Sequence, residues 1–197
     1  MNYIRVSYRN HSKVYNILFF IISLSVTLGI VLSFSLDKDL IDNIYNYFLE
    51  HINNYNNNIF GNILYPILVY FIIFISSLTI IGSFMPFFVF FIENMSIGLL
   101  LGIMLRKKAL KGLLFGIIYF SLTKLFYILI YIYLLINIYK FIRSIFFSLK
   151  YKNSESIYNL YSKIILKVIF SIFIISFYNI ISVFIIPKLI KVFIFLL

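Results

Sequence analysis

Two ionisable side chains stand deep inside long apolar runs, Glu93 and Lys124. Left unpaired in hydrocarbon, each costs at least about 2.5–3.5 kcal/mol on insertion scales. Counted outward from the charged turn around Lys107, the two fall within about one helical turn of equal depth on consecutive apolar segments. The spacing therefore predicts a pair, in contact or bridged by water. Such a pair can fix the register of two helices or relay a proton or ion, as in transporters.

Other chemistry is poorly provided for. His11 and His51 are isolated, lie outside the apolar runs and read as surface histidines rather than ligands. Ser96 has no histidine at membrane depth to act as its base, so packing suits it better than nucleophilic attack. There is no Walker A sequence, no Rossmann glycine fingerprint and no H-E-x-x-H. With no cysteine, neither a disulfide framework nor a thiolate metal site can be built. The sequence predicts no catalytic residues, no metal, no cofactor and a role that is not enzymatic.

The elements that must position Glu93 and Lys124 follow from composition. The 197 residues are 63% hydrophobic and 12% charged, against roughly a quarter charged in a soluble domain, and the mean hydropathy is +1.05. Five stretches reach the roughly 20 apolar residues needed to cross a bilayer: 14–36, 59–81, 84–105, 112–139 and 164–186. The expected fold is an all-α integral membrane protein, a single polytopic domain over 1–197 with about five transmembrane helices. The first stretch follows Arg5, Arg9 and Lys13 like a signal peptide, but it is too long for an h-region and lacks a small-residue cleavage site, so it reads as a retained span. The second and third stretches are separated by only Gly82 and Ser83 with Pro86 beyond. They form either a very tight hairpin or one spanning and one re-entrant segment.

Two polar insertions interrupt these runs. Residues 37–58 are acid-leaning and rich in Asn, and form the expected external loop. Within it Ile41, Ile44, Tyr45, Phe48, Leu49 and Ile52 recur at helical spacing opposite Asp42, Asn43, Asn46, Glu50 and Asn53, which predicts an amphipathic helix on the membrane surface. Its apolar stripe, Ile41, Tyr45, Phe48, Leu49 and Ile52, is the candidate partner-binding surface, and 53–58 is the expected flexible return to the bilayer. The second insertion, 140–163, carries five basic residues against Glu155 alone and prefers the cytoplasmic face. Its first half, 141–149, reads as a further interfacial helix.

The formal charge of +11 is carried mostly by Lys and Arg flanking the apolar runs, where they meet lipid headgroups. The expected partner is therefore the lipid bilayer of the cell membrane and not nucleic acid. With the N-terminus inside, eight flanking basic residues fall on the cytoplasmic side and seven outside, a bare preference under the positive-inside rule. Two G-x-x-x-G pairs, Gly98 with Gly102 and Gly112 with Gly116, lie symmetrically about the turn near Lys107. In an antiparallel hairpin Gly98 is expected to face Gly116, and Gly102 to face Gly112, letting two backbones approach closely.

Parts of the chain resemble the stage II sporulation protein M family. The matching residues are T-I-I-G at 79–82, Pro86, S-I-G at 96–98, K-G-L-L-F at 111–115 and I-I-P-K-L at 185–189. The chain departs from the family's pattern at Asn94, where the family tends to have glycine, at S-L-T-K over 121–124, where it tends to have a proline motif, and near Ser182, where it tends to have an acidic residue. The resemblance implies a non-enzymatic scaffold in the engulfment complex of sporulating cells. Such a scaffold holds two peptidoglycan-degrading partners, the stage II sporulation proteins P and D, at the septal membrane of the mother cell. A rival reading from the residues themselves is a transporter or permease subunit using Glu93 and Lys124.

Overall fold

A computed structural model describes residues 2–53, 59–77, 79, 82–151 and 157–193. These residues form six α-helices and one short 3₁₀ turn: α1 (Asn2–Ser35), α2 (Lys38–Asn53), α3 (Ile59–Ser77), the turn Gly82–Phe84, α4 (Met85–Thr123), α5 (Leu125–Tyr151) and α6 (Ile157–Phe193). Four of the described helical segments are long and apolar enough to cross a membrane: Ser12–Ser35, Met85–Thr123, Leu125–Phe146 and Tyr161–Ser182. The protein is thus an all-α, multi-pass membrane protein. Of the expected flexible return over 53–58, Asn53 is the last residue of α2 and 54–58 lie outside the described residues, as does the end of the second stretch at 80–81.

The closest packing in the molecule joins α1 to the first half of α4. Gly98 lies against the backbone of Val26, Gly29 against the backbone of Met95 and Leu99, and Gly102 against Ser33. A Cβ at Gly29 would sit 2.7 Å from the Leu99 nitrogen. The contacts advance together along both chains, so α1 and this half of α4 run parallel. Lipid supplies no hydrophobic drive for helix association, so backbone approach at small residues provides the dispersion and Cα–H contacts instead.

α4 then folds back at Ala109, whose φ of 49° and ψ of −136° break the helix. Beyond that point Gly112 meets the Met104 carbonyl, and Cβ atoms at Gly116 would come within 2.7 Å of Met104 Sδ and 2.8 Å of a Leu101 methyl. The hairpin expected near Lys107 is present with its reversal two residues later, but the glycine pairing across it is not. Gly98 and Gly102 face α1, and Gly112 and Gly116 face the bulky Met104 and Leu101. Symmetry about the turn gave equal depth but not equal rotation. The sequence pattern did not reveal that α1 brings a glycine of its own, Gly29.

The fourth apolar stretch is bent. Thr123 Oγ1 donates to the Tyr119 carbonyl at 2.8 Å, back-bonding that bends helices. Tyr178 of α6 donates its hydroxyl to the Leu122 carbonyl at 2.6 Å, taking up an acceptor at the bend. α5 resumes at once, since the Ile128 amide bonds the Lys124 carbonyl at 2.9 Å. It runs on to Tyr151 with Phe141 and Ile145 buried in the main core. The segment expected as an interfacial helix over 141–149 is thus continuous with α5, with Phe141 and Ile145 in the core and Phe146 exposed. That core gathers Leu18 of α1, Tyr70 and Ile73 of α3, Phe90 of α4, Tyr131 to Ile138 of α5 and Ile164 to Ile175 of α6.

Gly98→Ala, forced against the Val26 backbone, should lower stability by about 1–3 kcal/mol, the usual cost of overpacking. Ala109→Gly should raise it by about 1 kcal/mol, because glycine takes a positive φ without strain. Thermal unfolding of the purified protein checks both signs.

Candidate functional site

α2 begins where α1 and the α4 hairpin meet. Arg106, just before the reversal, donates to the carbonyls of Ser33 and, at 3.0 Å, of Leu36, and its guanidinium lies 5.9 Å from the Phe34 ring centroid. These are the acceptors left over at the C-terminus of α1, where the helix dipole also favours a cation. One residue on, Lys107 forms an ion pair with Asp42 of α2. Arg106 and Lys107 thereby fix the end of one helix and the start of the next.

From there α2 descends along the hairpin rather than lying flat. Ile41 and Tyr45 pack on Ile103, with Leu36, Ile44, Leu49 and Leu99 around them. Phe48 and Ile52 join Met104, Phe115, Tyr119, Phe120 and the α6 residues Ile186 and Ile190. Phe48 meets Tyr119 edge to face with centroids 5.0 Å apart, and His51 comes within electrostatic reach of Lys124. The candidate partner surface Ile41, Tyr45, Phe48, Leu49 and Ile52 is thus corrected. Ile41 is 2% exposed and Phe48 6%, because the hairpin and the end of α6 offer this stripe a continuous apolar groove. The amphipathic helix expected in this loop is present as α2, with its apolar stripe packed on the bundle. What it turns outward is its other face: Asn43, Asn46, Tyr47 and Glu50 are exposed, Tyr47 by 74%.

Glu93 and Lys124 occupy neighbouring positions without meeting. Electrostatically Glu93 senses Lys124, Tyr70 and Tyr131, yet its carboxylate forms no ion pair with the Lys124 ammonium; among the described residues the one ion pair is Asp42 with Lys107. The expected direct pair is corrected. Lys124 sits at the bend between α4 and α5, exposed, with Nζ 5.6 Å from the Tyr127 ring centroid. Tyr131, stacked on Phe90 at 5.0 Å, donates to the Pro86 carbonyl at 3.1 Å.

Several polar groups escaped the reading of the sequence. Lys167 lies inside the fifth apolar stretch, and its Nζ bonds Asn137 Oδ1 at 2.8 Å, so Glu93 and Lys124 are not the only charges there. A lysine and an asparagine in facing apolar runs were a usable signal. Asn94 is buried and donates to the Phe90 carbonyl at 2.7 Å while its Oδ1 has no partner, and both amide atoms of the buried Asn179 lack one. Ser96 is exposed and donates to the Ile92 carbonyl at 2.9 Å. Among the described residues no three His, Asp or Glu side chains converge as a metal site would require.

Set against known proteins, the chain matches no family model, no curated protein and no solved structure.

The contacts of α2 rank its anchors. Asp42→Asn removes a partly exposed ion pair, worth at most about 1 kcal/mol. Phe48→Ala opens a cavity in a buried cluster and should cost about 3 kcal/mol. Limited proteolysis within α2, followed alongside thermal unfolding, should therefore be accelerated far more by Phe48→Ala than by Asp42→Asn.

Proposed function

We propose that this protein is a non-enzymatic membrane scaffold that holds partners through the outward face of α2. The observation that carries the reading is the exposed polar face of α2, beside a helical run long enough to cross a bilayer. From Lys111 to Lys140 the chain is helical apart from the turn at Lys124. That run is about 44 Å long at 1.5 Å per residue, close to the roughly 40–45 Å between opposite headgroup layers. The exposed apolar side chains of α1 run from Ile17 up to Phe34, which lies beside Arg106. On this reading the hairpin tip with Arg106, Lys107, Lys108 and Lys111 marks one membrane surface. α2 dips below it as a re-entrant helix, and α1, α3, the two halves of α4 (the second continued by α5) and α6 make five crossings.

Asn46 and Glu50, four and eight residues beyond the Asp42 that pairs with Lys107 and so about 6 and 12 Å below that surface, then lie at membrane depth, exposed among the described residues. Polar groups facing hydrocarbon are expensive, so a second protein segment must complete their hydrogen bonds. A partner with a membrane-embedded helix of matching polar residues fits that need. The resemblance to the stage II sporulation protein M family supports naming the partners: peptidoglycan-degrading enzymes, the stage II sporulation proteins P and D, recruited to the mother-cell septal membrane during engulfment. The partner surface proposed is the polar face of α2, in place of its apolar stripe.

A second reading, a permease subunit, draws on one observation: Glu93 and Lys124 lie in electrostatic reach of each other without an ion pair. It predicts a pH-dependent flux lost in Glu93→Gln.

A photo-crosslinker placed at Tyr47 in membranes of sporulating cells separates the readings. The scaffold account expects peptidoglycan hydrolases in the crosslinked product, and their loss when Asn46 and Glu50 are both replaced by leucine while the protein still inserts. Hydrolase recovery unchanged by the double substitution, or flux with no hydrolase recovered, contradicts it.

A further inference from the structure

The end of the bundle away from the hairpin carries an unassigned pocket. α5 and α6 part there around a cavity of about 230 Å³ lined by Asn137, Lys140, Ser144, Lys163 and Lys167 over an apolar floor of Phe141 and Ile164. Three ammonium groups surround this small space. Lys140 and Lys167 are close enough for their charges to oppose each other, and among the described residues none of the three lysines has a carboxylate partner. Asn137, 6% exposed, is held by its Nδ2 on the Tyr133 carbonyl at 2.7 Å and turns its Oδ1 to Lys167 at 2.8 Å. One lysine of the three is thus positioned by a buried side chain, and among the described residues no carboxylate neutralises the like charges.

We propose that this pocket binds a phosphate group, supplied in the membrane by the headgroup of an anionic phospholipid. Phosphate offers several strong acceptor oxygens to the N–H donors of the three lysines that are left after Lys167 bonds Asn137, and the Ser144 hydroxyl adds a further donor. The depth suits a headgroup. Lys140 lies about 44 Å of helix from Lys111, the separation of two headgroup layers. Beside the pocket Leu166 and Phe170 of α6 are 68% and 59% exposed, providing an apolar wall for acyl chains. Basic pockets between transmembrane helices at a membrane surface bind such headgroups for this reason. The site rests on the same membrane placement as the scaffold reading but not on α2 or its partners, and a phospholipid there would hold α5 to α6.

The test is native mass spectrometry of the full chain released from mixed phosphatidylcholine and cardiolipin vesicles, compared with Lys140→Gln/Lys163→Gln. The wild type should keep cardiolipin and shed phosphatidylcholine. The variant should bind cardiolipin about thirtyfold more weakly, at roughly a fivefold loss per lysine. Lys108→Gln/Lys111→Gln, at the other end of the molecule, should leave retention unchanged. Lys140→Arg/Lys163→Arg should retain the lipid, which separates lost charge from a misfolded variant. A parallel titration with inorganic phosphate in pure phosphatidylcholine vesicles distinguishes the sources. A rise in melting temperature in the wild type and not in the glutamine variant assigns the pocket to a free anion as well as to a headgroup. Equal cardiolipin retention by the wild type and the pocket variant, with no response to phosphate, overturns the proposal.

Discussion

The architecture depends on the backbone contact between α1 and the first half of α4. Gly29 and Gly98 bring the two backbones into direct contact and Gly102 makes room for the Ser33 side chain, and in lipid such close approach replaces the burial that drives soluble folding. The contact sets the register that brings Arg106 to the last carbonyls of α1. With that end fixed, Lys107 is left to meet Asp42, and α2 has one direction in which to leave. The reversal at Ala109 then supplies the second wall, through Met104, Phe115 and Tyr119, of the groove that α2 fills.

An amphipathic helix in a membrane protein can satisfy its apolar stripe against lipid headgroups or against its own bundle. Here the bundle wins because the groove is continuous from Ile103 to Phe120 and is extended by Ile186 and Ile190. The choice has a consequence for the opposite face. Packed along the hairpin, α2 covers its apolar stripe and leaves Asn43, Asn46 and Glu50 exposed on the opposite face.

Much of this was legible in the residues. The apolar runs marked the helices, the 3.6-residue period of Ile41, Tyr45, Phe48 and Ile52 marked α2 and its buried face, and the small-residue pairs marked the positions of closest approach. What those residues approach was not legible, because i, i+4 spacing defines a strip on one helix and carries no information about the neighbour. Ser25, Gly29 and Ser33 form a small-residue strip on α1, but the spacing did not say that this strip is the one that meets Gly98 and Gly102. Depth was likewise readable for Glu93 and Lys124, but contact was not: the bend at Thr123 and Lys124 comes from a threonine hydroxyl and from Tyr178, which is distant in sequence. Lys167 was hidden by the apolar run around it, since hydropathy averaged over a span conceals one charge with a local partner.

The central claim is that α2 lies along the hairpin and not on the membrane surface. The chain contains no cysteine, so Phe48→Cys with Tyr119→Cys can be introduced as a unique pair and treated in native membranes with a short bis-maleimide. Rapid intramolecular crosslinking, with Asn43→Cys and Tyr119→Cys failing to crosslink, is the result this account predicts. Equal labelling of Phe48→Cys and Asn43→Cys by a membrane-impermeant maleimide, with no crosslink to position 119, would place α2 at the surface and contradict it.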